Sequence, residues 1–140
     1  MSHPFPAQVP DLGEMLARCD FVVLVCPLTP ATTHLMDGAK FRCMKDGAVL
    51  VNVSRGGVVD QAALLAALDG DGGLAMAGLD VSTPEPLPLG HPLRTHARVV
   101  WTPHRGSATA GARRAMAELA AKNLALGLDG RALAHCCNGL

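Results

Sequence analysis

Four side chains with chemistry to offer stand at or just beyond the ends of apolar runs. Arg55 follows "AVLVNV", Asp80 closes "LAMAGLDV", Glu85 sits in the proline-rich stretch after it, and His104 follows "RVVWT". An arginine presents a planar fork of donors that grips a carboxylate through two parallel hydrogen bonds. A histidine holds or releases a proton near neutral pH. A carboxylate beside that ring orients it and favours its charged form. An acid held by Arg55 and protonated on a carbonyl by His104 is set up for reduction by a hydride. Ser-His-Asp hydrolysis suits the chain less well, because no G-x-S-x-G elbow occurs in it. Taken singly, each residue reads as a surface charge or a turn; the set of four is what carries information.

The elements that would position them are legible. Four continuous apolar runs predict strands: "FVVLVC" (21–26), "AVLVNV" (48–53), "LAMAGLDV" (74–81) and "RVVWT" (98–102). Unbroken apolar character predicts strands covered on both faces. Helices are expected over 11–19, 37–44, 60–70 and about 108–128, with Asp11 and Asp60 as N-caps and Gly70 as a stop. Alternating strand and helix predicts βαβ units and a parallel sheet. The stretch "STPEPLPLGHPL" (82–93) breaks the pattern, since its prolines forbid a helix. Ligands of open α/β sheets bind beyond the carboxyl ends of the strands. The first strand delivers Cys26 to Pro30 to that rim, the second Asn52, Ser54, Arg55, Gly56 and Gly57, the third Asp80 and Glu85, and the fourth His104 to Ser107.

Bulk properties narrow the function classes. A chain of 140 residues, 49% hydrophobic and 17% charged, is enough for one domain with a real core. Twelve basic residues balance twelve acidic ones, so no footprint for nucleic acid or an anionic membrane exists. No apolar run reaches the ~18 residues of a membrane helix, and the first ten residues lack signal-peptide regions. Five irregularly spaced cysteines predict reduced thiols in a cytoplasmic compartment. The sequon Asn52-Val53-Ser54 falls in a predicted buried strand and is set aside. His34, His91 and His96 read as surface histidines, and Trp101 as core packing. His135, Cys136 and Cys137 read as a solvent-facing tail, because no second cluster completes a metal site.

The segments "DFVVLVCPLTPATTHLM", "MKDGAVLVNVSRGGVVD", "AGLDV", "PEPLPLGHPL" and "TPHRGSAT" together resemble the NAD(P)-binding half of the D-isomer-specific 2-hydroxyacid dehydrogenases. Within that family they are most similar to the glyoxylate/hydroxypyruvate reductase branch. The resemblance runs over residues 10 to 130. It implies a parallel-sheet, Rossmann-like α/β domain using NAD or NADP, and a small 2-oxo or 2-hydroxy acid as substrate. It assigns Arg55 to substrate binding, Glu85 to pairing with the histidine, and His104 to general acid/base work. It aligns Pro27, Val53, Asp80 and Gly106 with positions that touch the dinucleotide, Asp80 towards the nicotinamide. A homodimer is implied for a full-length protein. One departure is Arg105, where the family usually carries an apolar residue; a cation there would disfavour a charged His104.

The dinucleotide fingerprint G-x-G-x-x-G is absent. Its relaxed form, Gly70-Asp71-Gly72-Gly73-Leu74-Ala75, closes a helix and opens a strand, the reverse of the required context. The chain is therefore expected to lack the family's first βαβ unit. Residues 1–10 would form a leader, 11–130 the partial domain, and 131–140 a tail. Two functions stay open: an NAD(P)H-dependent reductase of glyoxylate-type 2-oxo acids, or a truncated, catalytically inactive dehydrogenase-like module that works by binding, as co-repressor relatives do.

Overall fold

The computed structural model describes residues 9–136. They divide between Pro103 and His104 into two compact units. The first holds α1 (Leu12–Leu16), β1 (Phe21–Leu24), α2 (Gly38–Cys43), β2 (Val49–Asn52), α3 (Gln61–Asp69), β3 (Met76–Leu79) and β4 (Val99–Trp101). Each lies inside its predicted span. The strands form one parallel sheet in the order β1-β2-β3-β4. Leu24 stands beside Asn52, Asn52 beside Leu79, and Leu79 beside Trp101, so all four strands end on one rim.

Each helix of this unit starts where an aspartate can satisfy its first amides. Asp11 accepts from the Glu14 amide at 2.8 Å and Asp37 from the Lys40 amide at 2.8 Å. Asp60 accepts from the amides of Ala62 and Ala63 at 3.0 and 3.1 Å. Such caps are typically worth about 1 kcal/mol each. Leu64 and Leu68, one turn apart on α3, are fully buried with Leu50, Val58 and Ala77.

The expectation of strands covered on both faces is corrected. Burial alternates along β1, β2 and β3, and Phe21 and Val23 remain 70% and 54% exposed. Topology explains this. When sequential parallel strands are neighbours, right-handed crossovers place every connecting helix on the same face. The helices α2 and α3 therefore pack together on one side, and the valines of the other face are not covered by them.

The proline-rich stretch also needs a correction. It holds no α-helix, yet Pro92 opens a 3₁₀ turn, Pro92–Arg94, whose first amide is taken by His91 Nδ1 at 3.2 Å from Leu93 N. His91 and His96 are thus more than passive surface groups. His96 Nε2 pairs with Asp69 at 3.1 Å, and Arg98 donates to the Leu68 carbonyl at 2.8 Å, so two basic side chains hold the carboxyl end of α3. Trp101 is half-buried against the core rather than within it.

The second unit is built on α4 (Ala110–Leu128), capped by Thr109, whose hydroxyl accepts from the Ala112 amide at 3.2 Å. None of its residues is buried. Asn123 ties the following segment to the helix, donating to the His135 carbonyl at 2.9 Å and accepting from Ala134 N at 3.0 Å. His135 and Cys136 are exposed as expected, and Cys137 lies outside the described residues. Among the described residues no group of His, Cys, Asp or Glu could hold a metal, and no helix is long and apolar enough to cross a membrane.

Candidate active site

The turn that carries Arg55 is organised from below. β2 ends at Asn52, whose side chain is 1% exposed. Its Oδ1 accepts from the Ser54 amide at 3.0 Å and from Ser54 Oγ at 2.8 Å, while Nδ2 donates to the Arg55 carbonyl at 3.0 Å. A buried amide satisfied in this way is a template for the three residues after it. Burial also supports setting aside the glycosylation sequon. Arg55 itself is exposed, and its Nη1 donates back to the Ser54 carbonyl at 2.7 Å, which restrains the guanidinium over the turn. The chain then tightens into a 3₁₀ turn, Gly56–Val58. A Cβ on Gly56 would lie 2.0 Å from the Ser82 carbonyl carbon and oxygen, so only glycine lets the two backbones approach this closely.

Arg55 shares a cleft of about 590 Å³ with Val25, Pro27, Leu28 and Val53, beyond the carboxyl ends of β1 and β2. Val25 and Val53 contribute apolar surface to it, 76% and 49% exposed. The Pro27 side is stiffened by Thr32, whose hydroxyl donates to the Pro27 carbonyl at 2.7 Å and accepts from Thr29 N at 2.7 Å. Exposed apolar side chains beside a guanidinium can take a planar ring next to a small anion. The pyrophosphate is a different matter, because the glycine turn it needs is not among the described residues. Gly70 instead ends α3, Gly72 takes φ +69°, and a Cβ on Gly73 would lie 2.0 Å from the Ala67 carbonyl. That glycine run leads into the amino end of β3, whereas the Arg55 cleft lies beyond the carboxyl ends of the strands, and it serves as a turn.

Asp80 is buried just past β3; its backbone amide donates to the Asn52 carbonyl at 3.0 Å, and its carboxylate accepts a hydrogen bond from the Thr102 hydroxyl. It ties the ends of β2, β3 and β4 together. Glu85 lines a second hollow of about 320 Å³ with Pro86, Leu87, Trp101 and Pro103. Arg94 closes this hollow and donates to the Leu87 carbonyl at 2.9 Å.

In the second unit, His104 has φ +49°, a left-handed conformation that a side chain with a Cβ rarely adopts. Such an outlier costs of the order of 1–3 kcal/mol and collects at functional positions. Arg105 and Gly106 follow in a turn closed by the Ala108 amide on the Arg105 carbonyl at 2.9 Å.

Of the residues singled out from sequence, the structure gathers Pro27, Val53 and Arg55 on one cleft and gives Glu85 a hollow of its own within the same unit. Asp80 is locked into the strand ends, and His104 and Gly106 belong to the second unit. Three supporting residues went unread: Asn52 as the template under Arg55, Thr32 under Pro27, and Gln61, the first residue of α3. Only Thr32 left a local signal, the threonines of "PLTPATT".

A parallel sheet with connecting helices and a cleft beyond its carboxyl ends defines a Rossmann-like α/β domain. The chain belongs to the D-isomer specific 2-hydroxyacid dehydrogenase family: the model of that family's NAD binding domain matches residues 2–106. The family's cofactor class is therefore NAD or NADP, as the sequence suggested. The human glyoxylate reductase/hydroxypyruvate reductase is 49% identical over 126 residues, which are 90% of this chain and 38% of that protein. A solved protein from Thermus thermophilus superimposes with TM-score 0.86 at 45% identity, over 96% of this chain and 43% of its own. An NADPH-dependent glyoxylate/hydroxypyruvate reductase from Sinorhizobium meliloti, solved with NADP and malonate, gives TM-score 0.79 at 35% identity, over 84% of this chain and 36% of its own. The chain thus spans about two fifths of the length of the relatives it matches.

Proposed function

We propose that this chain carries catalytic machinery of an NAD(P)H-dependent reductase of small 2-oxo acids of the glyoxylate and hydroxypyruvate type. The observation that carries the reading is the cleft that Arg55 shares with Pro27 and Val53: a guanidinium beside exposed apolar side chains, in a member of this dehydrogenase family. When bound, a nicotinamide cofactor would supply the hydride. Pro27 and Val53 would hold its ring face, with Asp80 and Gly106 as further dinucleotide contacts implied by the resemblance. Arg55 grips the 2-carboxylate through its fork and so orients the carbonyl. His104 donates a proton to the carbonyl oxygen as negative charge develops there, and Glu85 pairs with the ring and orients it. Residues 11–130 make up the working domain, and a homodimer in the cytoplasm completes the reading.

The test is kinetic. The natural gene product containing this chain is assayed with glyoxylate and hydroxypyruvate, each with NADH and NADPH. Turnover of either acid is the expected result, and oxidation of neither cofactor overturns the proposal. The alternative, a dehydrogenase-like module that binds without catalysing, draws on the placement of the Gly70–Ala75 run before a strand instead of between a strand and the helix after it. That alternative expects weak cofactor binding by fluorescence and no turnover.

A further inference from the structure

α3 begins immediately after the Arg55 turn. Asp60 caps it through Ala62 and Ala63, so Gln61, the first helical residue, is not needed to satisfy the helix start. Its side chain reaches 22 residues along the sequence instead. Gln61 Oε1 accepts from Thr83 N at 3.0 Å, and Gln61 Nε2 donates to the Thr83 carbonyl at 2.6 Å. A carboxamide closed on both backbone atoms of one residue reads position and direction at once, as a neighbouring strand would. Beside this clamp, Gly56 lies against the Ser82 backbone with no room for a Cβ. Ser82 Oγ donates to the Pro84 carbonyl at 2.8 Å, which shapes the last step before Glu85. The segment 82–84 is therefore referenced to the Arg55 turn by a steric stop at Ser82 and a two-bond clamp at Thr83, and Glu85 follows directly.

We propose that Gln61 is a positioning residue: by clamping Thr83 it sets where Glu85 stands relative to the Arg55 turn. The inference rests on the reading of Glu85 and Arg55 as parts of one reductase site. Gln61 is half-buried and outside the buried core, so losing it leaves the core intact, whereas the group it positions acts in the chemical step. Its removal lowers kcat, while KM for the 2-oxo acid, which reports the grip of Arg55, changes little.

The experiment is a double-mutant cycle in the natural gene product: Gln61→Leu, Glu85→Gln, and both together, with kcat and KM for glyoxylate and the crystal structure of Gln61→Leu. The expected result is a fall in kcat of about tenfold or more for Gln61→Leu, with KM within about twofold of the parent. A residue acting through Glu85 adds nothing once Glu85 is gone, so the double variant matches Glu85→Gln alone. If Glu85→Gln lowers kcat but the two effects multiply, or Gln61→Leu leaves kcat unchanged, the positioning role is overturned while the reductase reading stands. An unchanged kcat in Glu85→Gln overturns the part of that reading on which the inference rests. A crystal structure of Gln61→Leu with Thr83 to Glu85 superimposed on the parent also overturns it, whatever the kinetics.

Discussion

Asn52 sits beneath Arg55 and donates from Nδ2 to the Arg55 carbonyl at 3.0 Å, while its Oδ1 takes both the amide and the hydroxyl of Ser54. One buried side chain thus fixes the turn that presents the guanidinium. Asn52→Ala strands these partners in a buried setting, at about 1–3 kcal/mol for each unsatisfied group. A loss of at least 2 kcal/mol, roughly, is expected in urea unfolding of the variant; a shift within about 0.5 kcal/mol of the parent means the template is dispensable.

Arg55→Lys keeps the charge and removes the fork. An ammonium offers a point charge where two parallel bonds are wanted. In the natural gene product KM for glyoxylate is expected to rise about tenfold or more, equivalent to about 1.4 kcal/mol of binding. Equal KM and kcat in parent and variant would remove Arg55 from the substrate site.

His104 separates backbone cost from chemistry. Because its φ is +49°, glycine relaxes the position and alanine does not. His104→Gly is expected to be more stable than His104→Ala by about 1 kcal/mol. Both variants lose about 10²–10⁴-fold in kcat, the usual worth of a general acid. Paired thermal melts and initial rates decide it; if the alanine variant is the more stable, the left-handed backbone carries no strain.

Gly56→Ala forces a methyl group to within 2.0 Å of the Ser82 carbonyl, and backbone rather than a flexible side chain has to yield. Overpacking of this kind costs about 1–3 kcal/mol or more. A lowered melting temperature is expected together with faster amide exchange over 82–85. A variant that melts with the parent would show that the two backbones are not in contact.

Local signals told the elements apart. The aspartates at 11 and 60 mark helix starts because a short carboxylate reaches amides two and three residues on, and apolar β-formers mark strands wherever a run is long enough. The rim on which Arg55 and Asp80 fall was equally readable, since parallel strands must all end on the same side. Several features were decided only by the tertiary structure. The covered face of the sheet follows from strand order and crossover hand, which no run of valines encodes. Whether Arg55 shares a cleft with Glu85 depends on loop paths, and they line different hollows. The fit of Gly56 on Ser82 and the grip of Gln61 on Thr83 join residues more than twenty positions apart. Such contacts have no spacing rule, because they exist only after the sheet has brought the loop beyond β3 against the turn beyond β2.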